Sequence, residues 1–354
     1  MTSLLLALTL TASAQTPVDN AMSRSGRVSS EHTGGRFGLG VGLGAPTGLN
    51  GKLWLGDWSA IQFSVGGDIG VFNDIAGVVD YVFQFRPFDT GEPDVSVPLH
   101  IGAGVTLKEL HCHEAVVKNY TAVSQSAKAV AGATHQMYGT VGGNLCLDTR
   151  CLFYNQSEWW RQSNDYCLKE RGDTCHVAPG GKRCFAAFSG DMAPSMLVYN
   201  AEVDIAGEGG IKRVPLKNLY NNDGLDHLTL KPGELVTAVH LPQELAGDQS
   251  AYEKARIRGS IDFPLAGVAV RLRKSVDGTI EDLAIALTAV NPYPQIVSGL
   301  ESLIGTKLSE ESAMQVRDTV RKQAKPMRTT TVAPWYRRRV IGAIAKRLLE
   351  ELAG

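Results

Sequence analysis

The sequence predicts a mixed α+β protein that begins with a segment of antiparallel strands. Apolar residues alternate with small or polar residues between positions 34 and 105, whereas strand-like runs and helical periodicities both follow residue 105. A chain of 354 residues is long enough for two or three domains. Hydrophobic residues make up 44% of it and charged residues 20%, as in ordinary soluble globular proteins. The formal net charge of −1 excludes a general electrostatic attraction to nucleic acid or to anionic membranes.

The first 14 residues leave two interpretations open. A short apolar run, Leu4 to Leu10, precedes Ala12-Ser13-Ala14, which is typical of a signal-peptide cleavage site, but the positively charged start of such a peptide is missing. Residues 1–14 are therefore either a signal peptide that directs export or the start of a cytoplasmic protein. The chain contains no apolar run of 18 or more residues, so no membrane-spanning helix is predicted.

Residues 34–100 are predicted to form antiparallel strands. Phe37, Leu39, Val41 and Leu43 are separated by single residues, and similar alternation occurs around residues 52–55, 60–65 and 78–85, with Gly and Asp between the runs. The stretch Gly-Leu-Gly-Ala-Pro-Thr-Gly-Leu (42–49) resembles part of a small bacterial outer-membrane β-barrel, although the strands are too few for the usual minimum of about eight. The resemblance implies that this segment has a different origin from the rest of the chain.

Helices and strands are both predicted after residue 105. The run Leu107–Ala131 has helical periodicity, and a long polar and aromatic insertion ends at Phe188. Two further helices are predicted over about residues 309–324 and 335–352, the second after Pro334. The basic run 337–339 is predicted to be solvated at the start of that helix. A second small domain is predicted to begin near residue 222, and the predicted strands are Met196–Ile205, Leu235–Leu241, Ala266–Leu272 and Leu283–Val290.

A glycine-rich motif in the middle of the chain is a candidate phosphate-binding loop. Thr140-Val141-Gly142-Gly143-Asn144 contains two adjacent glycines, whose main-chain N–H groups can approach an anion without a Cβ atom in the way. Thr140 and Asn144 can add side-chain hydrogen bonds. Taken alone the motif also fits a plain turn.

Other motifs follow this loop in a recognisable order. They are Gly190-Asp191-Met192-Ala193-Pro194, then Lys254-Ala255-Arg256-Ile257-Arg258, then Asp262-Phe263-Pro264. The ordered set resembles the flavin-binding medium subunit of the xanthine dehydrogenase and carbon monoxide dehydrogenase family of molybdenum enzymes, over about residues 100–354. The resemblance implies a domain of the vanillyl-alcohol-oxidase (PCMH-like) FAD-binding type over residues 101–221, and a C-terminal α+β domain of the CO dehydrogenase flavoprotein type over residues 222–354. It also implies a set of FAD-binding residues, namely Val130, Thr140, Gly142, Gly143, Asn144, Asp191 and Lys254.

Four of the six cysteines lie in an insertion between Asn144 and Asp191. They are Cys151, Cys167, Cys175 and Cys184, with the spacing C-x15-C-x7-C-x8-C, and aromatic residues lie among them. Four thiolates in such surroundings can ligate a [4Fe–4S] cluster. Zinc usually binds cysteines in close pairs, which this spacing lacks. Disulfides stay open if the chain is exported, since six cysteines allow 15 pairings. The other two, Cys112 and Cys146, are predicted not to be ligands, and the same holds for His176.

The insertion, which spans about residues 146–188, resembles the β subunits of 4-hydroxybenzoyl-CoA reductases in its run Cys-x-x-Tyr-Asn-Gln-Ser-Glu-Trp-Trp, starting at Cys151. The resemblance implies a [4Fe–4S] cluster in addition to FAD. It also implies reduced ferredoxin as donor, a large molybdenum-cofactor subunit that removes the phenolic hydroxyl group, and a small subunit with [2Fe–2S] clusters. Electrons would enter at the four-iron cluster and pass through FAD to the [2Fe–2S] centres of the small subunit.

The sequence departs from that family at its beginning. Members carry another flavin loop, a Gly-Ala-Gly-Thr-Asp-like turn, and no equivalent is found here. The flavin domain is therefore predicted to be N-terminally truncated and to bind FAD weakly or not at all. Three other functions stay open: the FAD subunit of a xanthine dehydrogenase-type hydroxylase, a non-enzymatic outer-membrane or envelope protein, and a disulfide-stapled binding module.

Overall fold

Four of the strands predicted in the N-terminal third form one antiparallel sheet. The computed structural model describes residues 37–42, 47–54, 59–67, 76–83 and 99–354; the candidate signal peptide lies outside these residues. The strands pair in sequence order and are β1 (Phe37–Gly42), β2 (Thr47–Trp54), β3 (Ser59–Gly67) and β4 (Ala76–Phe83). The alternating pattern therefore predicted these strands correctly. The chain divides into two units, residues 1–86 and 87–354.

The described part of the second unit starts with a strand, β5 (Leu99–Gly102), which a series of short helices follows. The segment predicted as one helix, Leu107–Ala131, is broken at His113 and Tyr120, whose backbones leave the helical region. Tyr120 is buried, its ring packs edge-on against Tyr199 at 5.0 Å between centroids, and its hydroxyl donates to the carbonyl of Pro242. Packing of this ring in the core accompanies the second break. The helices are α1 (Leu107–Cys112), α2 (Glu114–Asn119), α3 (Thr121–Ala129), α4 (Ala133–Tyr138) and α5 (Val141–Leu145).

The strand predicted at Met196–Ile205 was wrong over its first half. After α6 (Glu158–Ser163) in the insertion, residues Met192–Leu197 form a helix, α7, and β6 starts only at Glu202. Every residue of α7 is buried. Its sequence therefore lacks the helical period of polar and apolar positions that would distinguish it from a buried strand. Pro194 lies in its first turn, where a proline is tolerated. Asn200, at φ 52°, separates the helix from the strand.

A four-stranded antiparallel sheet forms the middle of this unit. Its order is β5-β8-β6-β7, with β6 (Glu202–Gly207), β7 (Gly210–Pro215) and β8 (Leu235–Leu241). The predicted strand Leu235–Leu241 is confirmed to the residue. The sheet and the preceding helices share one hydrophobic core, which includes Leu107, Val123, Met196 and Val239. A 3-10 helix spans Leu216–Leu219.

Asp204 on β6 joins three strands through its carboxylate. It accepts two hydrogen bonds from Arg213 of β7, at 2.8 and 3.1 Å, and contacts Nε2 of His240 of β8 at 2.7 Å. The hydrogen bonds from Arg213, and more weakly the contact with His240, lower the pKa of Asp204 to about 2, although burial acts in the opposite direction. Because the pKa is lower in the folded chain, this carboxylate stabilises the fold fully above the unfolded pKa of about 3.9.

We predict that Asp204→Asn lowers the free energy of unfolding by about 1–2 kcal/mol near neutral pH, allowing for solvent screening of a site near the surface. The difference from the unsubstituted chain should shrink as the pH falls from about 4 to about 2, because the stabilisation is lost through the folded pKa. Urea unfolding of both proteins across this range measures it. A difference that is independent of pH would contradict the assignment.

The C-terminal part forms a second antiparallel sheet covered by two helices. The strand order is β12-β11-β10-β9, with β9 (Gln249–Ala255), β10 (Ala266–Lys274), β11 (Ile280–Thr288) and β12 (Gln295–Ile296). Helices α8 (Glu310–Gln323) and α9 (Pro334–Ala353) confirm the predicted pair. Their apolar faces share a separate core with β10 and β11, which includes Val316, Val320, Ile341 and Leu348. Among the described helices, none combines the length and apolar character that a membrane span needs.

Arg337, in the basic run at the start of α9, is not solvated as predicted. It is 1% exposed, and its guanidinium donates to the carbonyls of Leu265 and Met327 at 2.8 and 2.9 Å and to Thr329 Oγ1 at 3.1 Å. Arg338 and Arg339 are exposed. The burial of Arg337 could not be predicted from the run of three arginines, because it depends on carbonyl groups that other segments of the chain supply.

Candidate cofactor site

The glycine motif forms α5 and packs closely against the end of β5. Thr140 caps the helix by accepting a hydrogen bond from the N–H of Gly143 at 3.1 Å. A Cβ atom on Gly142 would lie 2.8 Å from the Cβ of Ala103, so this close approach requires glycine. The N–H groups of Val141 and Gly142 donate to the carbonyls of Val105 and Ala103 at 2.9 and 2.8 Å. These two amides therefore bind within the chain instead of converging on an open anion site.

Asn144 connects the glycine motif to the segment that carries Asp191. Its side-chain oxygen accepts a hydrogen bond from the N–H of Met192 at 3.0 Å. Its carbonyl oxygen would lie 2.8 Å from a Cβ atom on Gly190. Two of the predicted motifs, which are 47 positions apart in the sequence, thus lie side by side.

Asp191 and Lys254 form a buried ion pair. Lys254 Nζ lies 3.0 Å from Asp191 Oδ2, and the two side chains are 3% and 4% exposed, respectively. Tyr252, which the sequence analysis missed, donates its hydroxyl to Asp191 Oδ1 at 2.6 Å. Burial raises the pKa of Asp191, against the effect of the Lys254 ammonium and the Tyr252 hydroxyl, and burial also lowers the pKa of Lys254. Tyr252 and Lys254 are two residues apart on β9 and so share a face, which is the signal that could have found Tyr252.

Val130 ends α3 beside the loop that follows β9. The next residue, Ala131, has a φ of 42°, and its carbonyl accepts hydrogen bonds from Ile261 N at 2.9 Å and from Ser260 Oγ at 3.1 Å. Lys254 Nζ also donates to the carbonyl of Asp262 at 3.1 Å. The predicted flavin residues are therefore brought to one region by the segments 130–144, 190–192 and 254–262.

The four cysteines of the insertion line a single cavity. Cys151, Cys167, Cys175 and Cys184 are between 5% and 8% exposed, and all are free thiols. The lining is completed by seven other residues: Phe153, Tyr154, Leu168, Lys169, His176, Val177 and Ala186. The structure therefore brings together residues that are spread over 34 positions (151–184) and that no short-range motif connects.

Burial makes two of these thiols, Cys151 and Cys184, poor acids as they stand. Burial raises the pKa of Cys151; the amides of Phe153 and Tyr154 oppose this increase, and negative charge on Cys167 and Cys175 adds to it. Burial also raises the pKa of Cys184 to about 11, although the N–H of Ala186 and the charge of Lys169 act in the opposite direction. If ionised, these buried thiols would repel one another. A bound metal would remove this obstacle, because coordination to a metal deprotonates a thiol.

The four sulfur atoms do not converge on one point. Among the described residues, no group of three or more His, Cys, Asp or Glu side chains is placed to hold a single metal ion. A tetrahedral zinc site would require such a group, with each sulfur about 2.3 Å from the ion. In a four-iron cluster each thiolate binds a different iron, so the sulfurs surround a larger volume.

The aromatic residues of the insertion line the cavity only in part. Phe153 and Tyr154 line the cavity, and Trp160 packs 6.2 Å from Phe153 between ring centroids. Trp159, by contrast, is 74% exposed. Ser157 caps α6, and Glu158 then contacts Arg161 at 2.9 Å and Arg171 at 2.5 Å, which fixes the loop around the helix.

The remaining cysteines lie outside the cavity, whereas His176 lies in its lining. Cys112 is exposed, Cys146 is half-buried, and neither lines the cavity. His176 does face the cavity, but its Nε2 atom binds the carbonyl of Tyr166.

Two family models match the chain over the regions just described. The "FAD binding domain in molybdopterin dehydrogenase" matches residues 94–244, and the "CO dehydrogenase flavoprotein C-terminal domain" matches residues 250–352. The boundary between them falls between the last strand of one sheet, which ends at Leu241, and the first strand of the next, which begins at Gln249.

Curated relatives and solved structures cover the same part of the chain. The aldehyde oxidoreductase FAD-binding subunit PaoB of Escherichia coli is 29% identical over 70% of this chain and 77% of its own length. The glyceraldehyde dehydrogenase medium chain of Sulfolobus acidocaldarius is 27% identical over 49% of this chain and 60% of its own length. A carbon monoxide dehydrogenase structure from Hydrogenophaga pseudoflava has a TM-score of 0.56 at 22% identity, over 73% of this chain and 76% of the other, which shows a common fold. The matched relatives are subunits of oxidoreductases.

The sequence expectation of a flavoprotein with a CO dehydrogenase-type C-terminal domain is thus confirmed, and residues 94–352 belong to the family of FAD-binding medium subunits of xanthine and carbon monoxide dehydrogenases.

Proposed function

We propose that this chain is the electron-transfer subunit of a molybdenum enzyme of the 4-hydroxybenzoyl-CoA reductase type, and that it holds a [4Fe–4S] cluster as well as FAD. The observation that carries the proposal is the cavity lined by Cys151, Cys167, Cys175 and Cys184, inside an insertion between two flavin motifs. The whole enzyme would convert a 4-hydroxybenzoyl thioester to the benzoyl thioester. The partners would be a large molybdenum-cofactor subunit, a small [2Fe–2S] subunit and ferredoxin, in the cytoplasm.

The donor set fits an iron–sulfur cluster better than its rivals. Four buried thiols in a partly aromatic cavity match the Cys₄ ligation of a cubane. The free state of all six cysteines argues against a disulfide framework. The spacing of the four cysteines also lacks the close pairs in which zinc is usually bound. When bound, the cluster would supply one-electron transfer at a potential set by nearby charge, hydrogen bonds and solvent access.

This chain's own contribution would be to bind, position and shield its cofactors. The cysteines would act as thiolate ligands, with Phe153 and Tyr154 limiting water access. For FAD we propose the residues implied by the family resemblance: Val130, Thr140, Gly142, Gly143, Asn144, Asp191 and Lys254. Their support is that three distant segments bring them to one region.

In that set, Asp191 and Lys254 would act as a pair. Because each neutralises the other inside the fold, they would fix the position of α7 and of the 254–262 loop around the flavin. The prediction that the chain by itself binds FAD weakly or not at all is tested by isothermal titration, in which submicromolar affinity would refute it.

The function is tested by the choice of electron donor. We expect that dithionite-reduced ferredoxin, separated from excess dithionite, bleaches the visible absorbance of the anaerobically purified chain, whereas NADH does not. The Cys175→Ala variant serves as the control for electron entry through the cysteine site. Reduction by NADH, with ferredoxin inactive and no iron present, would contradict the proposal.

That contrary result would instead favour a second function, the FAD subunit of a hydroxylase. The curated relatives favour it, since they include an aldehyde oxidoreductase subunit and a xanthine dehydrogenase FAD-binding subunit. The cysteine cavity has no role in that alternative, which is why we rank it second.

A further inference from the structure

One cation is buried beside the cysteine cavity. The side chain of Lys169 is 5% exposed and forms part of the cavity lining. Its Nζ atom lies 2.5 Å from Asp148 Oδ1 and 2.5 Å from Thr149 Oγ1, and 3.2 Å from the carbonyl of Thr149. It also lies 4.6 Å from the ring centroid of Tyr154, another residue of the lining. The ammonium is therefore held in one place by four contacts.

The charge of Lys169 is cancelled only in part. Its carboxylate partner, Asp148, is 52% exposed, so water screens the negative charge more than the buried positive one. Other cations of the insertion are placed differently: Arg161 and Arg171 share Glu158 and are 22% and 58% exposed. Lys169 is thus the one lysine or arginine in the lining of the cysteine cavity.

We propose that Lys169 is a positioning residue that sets the reduction potential of the iron–sulfur cluster, an inference that rests on the proposed function. One-electron reduction adds one negative charge to the site, and the electron comes from ferredoxin in the cell or from dithionite in the test. A fixed positive charge beside the cavity stabilises the more negative state, more strongly in a low-dielectric interior than in water. Lys169 therefore raises the potential, and Asp148 lowers it to a smaller extent.

The test is an EPR-monitored redox titration of the full chain, purified anaerobically. We expect Lys169→Met to shift the reduction equilibrium at least tenfold toward the oxidised state, which is about 59 mV for one electron. Asp148→Asn should shift it in the opposite direction, and Lys169→Arg should retain most of the original potential. Lys182→Met, which removes an exposed lysine of the same insertion, is the matched control.

The outcomes separate this inference from the proposed function. If the unsubstituted chain binds no iron, the proposed function fails. If Lys169→Met contains full iron but titrates like Lys182→Met, the inference is overturned while the cluster stands. If Lys169→Met does not assemble a cluster, Asp148→Asn decides, because an unchanged potential in that variant overturns the inference.

Discussion

Replacing Cys175 by alanine is expected to reduce the iron content of the anaerobically reconstituted chain from about four atoms to fewer than one. The Cys175 side chain is 5% exposed and lines the cavity with the other three thiols. His176 is the one adjacent group that could replace it, but its Nε2 atom is bound to the carbonyl of Tyr166. With three ligands and one uncovered iron, the cluster should be lost.

The controls use the two cysteines outside the cavity. Cys146→Ala removes a half-buried thiol and Cys112→Ala an exposed one, and both variants should retain full iron. Iron and acid-labile sulfide analysis of the three variants, with circular dichroism to confirm folding, makes the comparison. Equal loss of iron in Cys146→Ala and Cys175→Ala would refute the ligand assignment.

The second large effect is expected at the buried pair beside the glycine motif. Asp191→Asn leaves the Lys254 ammonium, which is 3% exposed, without its counter-charge. Breaking a buried pair costs about 3–5 kcal/mol, which corresponds to a fall in melting temperature of roughly 6–20 °C in a unit of this size. The variant Lys254→Met should be destabilised to a similar extent, because the Asp191 carboxylate then keeps only the Tyr252 hydroxyl.

A double variant separates the pair from each partner's other contacts. Asp191→Asn combined with Lys254→Met should be more stable than the sum of the single losses implies, since no uncompensated charge is left buried. The matched control is Lys307→Met, which removes a lysine whose side chain is 66% exposed and should leave the melting temperature unchanged. Additive effects in the double variant, measured by thermal unfolding at pH 7, would mean that the two charges do not interact.

The sequence predicted helices best where one face of the helix is solvated. The helices α8 and α9 have such faces, so their periodicities could be read directly. Helix α7 is buried on every side, and its last two residues, Met196 and Leu197, were mistaken for the start of a strand because no periodicity distinguishes the two. The breaks at His113 and Tyr120 could not be predicted either, since one of them accompanies packing against the distant Tyr199.

The candidate site shows the same division. The choice of four cysteines came from their spacing and surroundings, and the structure brings them to one cavity. Lys169 carried no signal, because a single lysine in a polar insertion looks solvated until the fold buries it. The sequence also did not predict that Asp191 pairs with Lys254, because each residue was assigned to the flavin separately. Only the fold shows that the two side chains contact each other.

Metal analysis of the chain, purified under anaerobic conditions, decides whether the four buried sulfur atoms hold one inorganic cluster. We expect about four iron atoms and about four acid-labile sulfides for each chain, with an EPR signal that appears after one-electron reduction by dithionite. A chain that contains one zinc ion, or no metal and no free thiols in denaturant, would contradict it.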